Sequence, residues 1–164
     1  MRKIRFKRAG ALAGLALLLI SSPAAFSHCE IPCGIYDDQM RIGMLLEDIA
    51  TIERSINALA ELTGKADKNY NQIVRWVNNK EHHADDIREI VSQYFLAQRI
   101  KEVEADNSPE YQKYVRELSL LHQMLVYAMK SKQTTDLANV EKLRELVEKF
   151  NLEYFGENPP EHKH

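Results

Sequence analysis

Both cysteines of this 164-residue chain, Cys29 and Cys33, fall in the short stretch FSHCEIPCGIYDD, and His28 stands directly before the first of them. Thiolates and an imidazole so close together are metal ligands by type. A disulfide between the two sulfurs would close a loop of only a few residues near a chain end, where chain-entropy reasoning gives the smallest benefit. The chemistry turns on whether His28 is the first residue of the working protein. Its free amine, the amide nitrogen of Cys29 and the Cys29 sulfur would then follow one another along the backbone and close fused chelate rings in one plane, with Cys33 at the fourth corner. Such a planar set of strong donors suits a d8 ion such as Ni(II), whereas Zn(II) asks for a tetrahedron, so the geometry selects nickel or copper. Thiolates and a deprotonated amide push electron density onto the ion and bring its higher oxidation state within reach. The His28 imidazole can approach the axial position of the oxidised ion. Pro32 bends the short return between the cysteines, and Gly34 lets the chain turn tightly after it.

The residues before the hook supply the free terminus. MRKIRFKRAGALAGLALLLISSPAAFS has five basic residues at its start, an apolar run from Ala9 to Ile20 and small residues at its end, which is the anatomy of a secretory signal peptide. The run is shorter than the roughly 20 apolar residues a membrane-spanning helix needs. Residues 1–27 are therefore expected to be a cleaved leader, with the cut between Ser27 and His28 and an exported, periplasmic or secreted product. Loss of the leader takes five Lys and Arg away, leaving 17 against 24 Asp and Glu, so the net charge moves from -2 to -7. A body that acidic excludes nucleic acid and anionic lipid as partners, and no membrane contact is expected after cleavage.

From Asp37 onward the apolar residues recur at three and four, and no strand pattern competes. The first helix is expected to run from Asp37 to Gly64 with Met44, Leu45, Ile49, Ile52, Ile56 and Leu59 inward. A second, read as one continuous helix from an Asp67 cap to about Glu104, turns Ile73, Val77, Ile87, Val91, Tyr94 and Phe95 to one face, with Trp76 also in the core. A third begins at a Ser108 cap with Pro109 in its first turn and sets Val115, Leu118, Leu121, Leu125 and Met129 inward. The last, capped by Thr135 or Asp136, carries Leu137, Val140, Leu143, Val147, Phe150 and Tyr154. Four amphipathic helices on short polar connections define an all-α, antiparallel up-down four-helix bundle over residues 28–164, with residues 28–36 as an N-terminal metal-binding hook. The bundle itself offers no Glu-x-x-His ligand pair. His122 stands alone, and His82 and His83, being adjacent, point to different sides of a helix, so all three are expected to be solvated or hydrogen-bonded rather than metal ligands.

HCEIPCGIYD resembles the nickel hook of the nickel-containing superoxide dismutases, whose mature chains begin H-C-x-x-P-C-G-x-Y. His28, Cys29, Pro32, Cys33, Gly34 and Tyr36 fill every fixed position of that motif. The resemblance implies dismutation of superoxide to dioxygen and hydrogen peroxide by nickel, one ion per subunit, cycling between +2 and +3. It implies that His28, Cys29 and Cys33 are the ligands and that Tyr36 stands at the mouth of the site, where it orders water or anion and controls access. Glu30 would hydrogen-bond locally within the hook. It also implies a homohexamer and a processing peptidase, with a cytoplasmic location if the leader is a propeptide. In related chains an acid early in the first helix and an arginine of a neighbouring subunit tether the imidazole; here Gly43 stands near the place of the acid, leaving Glu47 and Arg75 as the candidates. A secreted helical protein that binds nickel or copper without turnover is the alternative reading, and a structural bundle with a small disulfide is a third.

Overall fold

The computed structural model describes residues 36–106 and 108–156. Residues 1–27, read from the sequence as a leader, the hook residues 28–35 and the tail beyond Gly156 lie outside the described residues. Four helices follow in order: α1 (Asp38–Gly64), α2 (Tyr70–Glu89), α3 (Pro109–Gln133) and α4 (Leu137–Phe155), with a π-helical segment (Ile90–Arg99) continuing α2. Each helix packs on its neighbours in sequence, and α4 closes the ring against α1. This is the expected all-α four-helix bundle, and the described residues contain no strand. None of the described helices is long and apolar enough to cross a membrane.

Local chemistry explains the helix starts. Asp37 accepts a hydrogen bond from the Met40 backbone N–H at 2.8 Å, Ser108 from Tyr111 at 3.1 Å and Asp136 from Ala138 at 3.0 Å. Each pairs one of the N–H groups that a first turn leaves without an intrahelical partner. The second helix departs from expectation, because Asn69 rather than Asp67 is its cap, accepting from Gln72 at 3.2 Å. The chain passes through Asn78 to Asp86 without a break, as one continuous helix requires, but helical structure ends at Arg99 rather than near Glu104. Gly156, with φ +80°, ends α4 in a backbone region open to glycine, and its N–H reaches Leu152 O at 2.9 Å.

The core forms where the apolar stripes meet. Leu45, Ile49, Ile52, Ile56 and Leu59 of α1 are buried, as are Val140, Leu143, Val147 and Phe150 of α4. Other expected core residues prove to be peripheral. Met44 is 37% exposed, one position off the α1 stripe, and its sulfur lies against the Arg41 guanidinium. Val77 is exposed, while Ile73 and Trp76 are half-buried, because Lys80 and Ala84 take the inward positions of that face. In α3 the inward line runs through Glu117, Leu121, Met124, Ala128 and Ser131, leaving Val115 44% exposed and Leu118, Leu125 and Met129 half-buried on its flank.

Lys80 explains part of that rotation. Its Nζ donates to Ser131 O at 2.7 Å and to Lys132 O, and reaches Thr134 O at 3.4 Å. The last carbonyls of α3, which a helix cannot pair internally, are capped by an ammonium from α2. Burial pushes the Lys80 pKa down, against the pull of Glu81.

Candidate metal centre

The ligand candidates His28, Cys29 and Cys33, with the hook-shaping Pro32 and Gly34, lie outside the described residues. What the structure describes is the platform that follows them. Tyr36 is the first residue of it, three positions after Cys33, and Asp37 and Asp38 begin α1.

Tyr36 is 37% exposed and held by its ring. The Arg99 guanidinium carbon sits 4.2 Å from its centroid, and Tyr94 meets it edge to face at a centroid distance of 6.0 Å. A cation over a phenol face and a perpendicular ring beside it are both attractive arrangements of the aromatic quadrupole. The described residues thus hold Tyr36 by its ring, and none of them hydrogen-bonds its hydroxyl.

Arg99 and Tyr94 are in turn fixed by Asp38. Arg99 Nε donates to Asp38 Oδ1 and Nη2 to Oδ2, each at 2.7 Å, in the two-pronged geometry that guanidinium and carboxylate share. The Tyr94 hydroxyl donates to Oδ1 at 2.6 Å and the Tyr154 hydroxyl to Oδ2 at 2.8 Å. One carboxylate thus ties α1, the π segment and α4 together. Burial alone would raise its pKa, but the hydrogen bonds from Arg99, Tyr94 and Tyr154 and the Arg99 charge outweigh burial and hold it below the usual carboxylate range. The same contacts act in reverse on their donors. Burial and the Asp38 carboxylate push the Tyr154 hydroxyl up to about 12 and the Tyr94 hydroxyl up as well, so both remain protonated at neutral pH.

Arg41 completes this end of the bundle. Its guanidinium lies 5.0 Å from the Tyr94 ring centroid, and it has no carboxylate partner among the described residues. Beneath the polar layer Phe95, Phe150 and Tyr154 stack edge and face, Phe95 to Phe150 at 5.0 Å and Phe150 to Tyr154 at 5.4 Å. The polar layer around Asp38 therefore rests on an aromatic floor.

A family model described as nickel-containing superoxide dismutase matches residues 23–158, a span that includes every hook residue. The chain belongs to that family. As a nickel-containing superoxide dismutase it is an oxidoreductase with superoxide as its substrate and nickel as its cofactor. Comparison with curated proteins and with solved structures gives no match. The donor types in the sequence fit the metal of this dismutase, since the thiols of Cys29 and Cys33 and the nitrogen donors of His28 are of the kind that would hold nickel.

Tyr36 directly precedes the Asp37 cap of α1, and its expected place at the mouth of the site involves hook residues that lie outside the described ones. Glu47 and Arg75 are both exposed, and no ion pair joins them within the described residues. Asp38, Tyr94, Arg99 and Tyr154 were not singled out as site residues; Tyr94 and Tyr154 were read only as core. The available signal was the second acid of the Asp37–Asp38 pair, which a single N-cap does not need.

Proposed function

We propose that dismutation takes place at a hook liberated by cleavage between Ser27 and His28, with the His28 amine and imidazole, the Cys29 amide and thiolate and the Cys33 thiolate as the ligands. The observation that carries this reading is the family match running through residues 28–36, whose last residue, Tyr36, the bundle holds by its ring. Nickel bound there would supply the one-electron chemistry, alternating between +2 and +3 as one superoxide is oxidised and the next reduced.

The chain's own residues would do the rest. Cys29 and Cys33 would supply the thiolates, Pro32 and Gly34 would shape the return between and after them, and the His28 amine and imidazole would complete the ligand set. Tyr36 would order water or an incoming anion through its hydroxyl. Tyr94 and Tyr154 serve as buttresses rather than proton sources, since their protons are committed to Asp38. Glu47 and Arg75 are our candidates for the groups that tether the imidazole, Arg75 acting from a neighbouring subunit. That role belongs with a homohexameric assembly in which bundles clamp one another's hooks. The basic start and apolar centre of residues 1–27 support an exported product released by a processing peptidase.

The deciding experiment is metal analysis with electron paramagnetic resonance on protein whose first residue is shown by mass spectrometry to be His28. A rhombic Ni(III) signal with splitting from one axial nitrogen is the expected result. Zinc as the only bound metal, or superoxide decay no faster than in buffer, would overturn the reading.

A further inference from the structure

We propose that Asp48, His83 and Asp86 form a second divalent-cation site, on the flank of the bundle between α1 and α2. Asp48 lies ten residues into α1 from Asp38, about 15 Å of helix rise away from the Asp38 cluster. His83 and Asp86 are three apart on α2 and so share a face. Asp48 Oδ1 is 2.7 Å from His83 Nδ1, and Asp86 Oδ2 is 3.9 Å from the same nitrogen. One ligand atom from each of the three residues falls within 4.8 Å of the others.

The charge balance of the cluster is what asks for a cation. Asp48 is only 8% exposed, and among the described residues its one ion-pair partner is His83. Among the described residues Asp86 pairs with His83 and, at 3.5 Å, with His82. The nearby cations are committed elsewhere: Arg88 and Lys132 both bind Asp85, at 2.9 and 2.6 Å. Two carboxylates therefore share His83, with only the exposed His82 beside Asp86 in addition, and Glu47 adds a further negative charge that acts on Asp48. A carboxylate out of water needs either a proton or a cation. A dication held by two carboxylate oxygens and one imidazole nitrogen would neutralise the cluster.

The ligand set selects the class of ion. One imidazole and two carboxylates with no thiolate suit a borderline ion such as Zn(II), with a fourth position left for water or for the exposed His82. Bonds of about 2.0–2.2 Å place tetrahedral ligand atoms roughly 3.3–3.5 Å apart, a spacing that small side-chain rotations reach from the present arrangement. The site would pin α1 to α2 and involves none of the hook ligands, so it stands or falls apart from the dismutase reading.

The test uses the full chain carrying Cys29→Ser and Cys33→Ser, which removes the thiolates that would compete for metal. Calorimetric titration with zinc alone is expected to show one equivalent bound and a rise in melting temperature. Asp86→Asn, which leaves the Asp48–His83 contact in place, and His83→Gln should each weaken zinc binding by tenfold or more, with helical content unchanged by circular dichroism. Cobalt in place of zinc should give visible bands of nitrogen and oxygen ligation that vanish in His83→Gln. Absence of zinc binding, or binding that Asp86→Asn and His83→Gln leave unchanged, would overturn the proposal; the second result would assign the ion to His28 or the tail histidines.

Discussion

Tyr94 and Arg99, five residues apart in sequence, donate to the same oxygen, Asp38 Oδ1, at 2.6 and 2.7 Å. In an α-helix, residues five apart point about 140° away from each other. The π-helical segment they belong to hydrogen-bonds from i to i+5, and its wider turn brings such residues closer to one side of the helix. The closing bond of that register, Ile100 N–H to Phe95 O at 2.9 Å, is present. The change of helix type at Ile90 is thus what lets one element present a phenol and a guanidinium to one carboxylate, and Arg99 then covers Tyr36 with its outer face.

Asp38→Asn should lower stability by about 1.5–3 kcal/mol, the range for hydrogen bonds to a charged group. The pH dependence follows from the lowered pKa. The folded protein holds this carboxylate ionised at pH values where the unfolded chain, at about 3.9, has taken up a proton, so the contribution is complete above the ordinary carboxylate range and disappears as pH falls through the folded value. Urea unfolding between pH 2.5 and 6 should show the wild-type protein losing stability on acidification more steeply than the variant.

Tyr154 sets an alkaline limit in the same way. With its pKa raised from about 10 to about 12, the hydroxyl stays protonated in the folded state where the unfolded chain has begun to ionise. Its contribution is complete below pH 10 and is lost between 10 and 12. Tyrosinate absorbance during alkaline titration should show a late-ionising fraction, and Tyr154→Phe should reduce that fraction.

Lys80→Met should cost about 1–3 kcal/mol by leaving the terminal carbonyls of α3 without a donor. Hydrogen exchange should quicken around residues 131–136 before the rest of α3, a pattern that a simple loss of core packing would not give.

In the hook, Cys29→Ser or Cys33→Ser should abolish nickel binding while circular dichroism reports an intact bundle. His28→Gln should retain nickel through the amine, amide and thiolates but lower turnover by tenfold or more, at least about 1.4 kcal/mol of activation free energy. Unchanged turnover in that variant would remove the axial role from the imidazole. Tyr36→Phe keeps the ring over which Arg99 lies and removes only the hydroxyl, so a loss of turnover at unchanged melting temperature would assign the effect to that oxygen.

Legibility varied with the range of the interaction. Ser108 and Asp136 could be read as caps because the N–H groups they satisfy lie two or three residues away. The α1 and α4 stripes could be read because their inward positions are apolar. The phase of α3 was missed because Glu117 and Ser131 are polar at inward positions and Ala128 is small, so Val115 and Met129 seemed the better candidates for the core. Glu117 is carried there by Lys113, 3.6 Å away, and Ser131 by a bond to Tyr127 O at 2.9 Å. His83 was expected to be hydrogen-bonded or solvated, and it is hydrogen-bonded; that its partner would be Asp48, 35 residues earlier, no local pattern could show.

The sequence by itself determined the composition of the hook, the four helices and most of their starts, because donors, caps and apolar repeats act within a few residues of one another. Only the tertiary structure decided that Asp38 gathers Tyr94, Arg99 and Tyr154, which follow it by 56, 61 and 116 residues. Those meetings depend on how each helix is rotated and how far it slides against its neighbours. Both are set by the packing of the whole bundle.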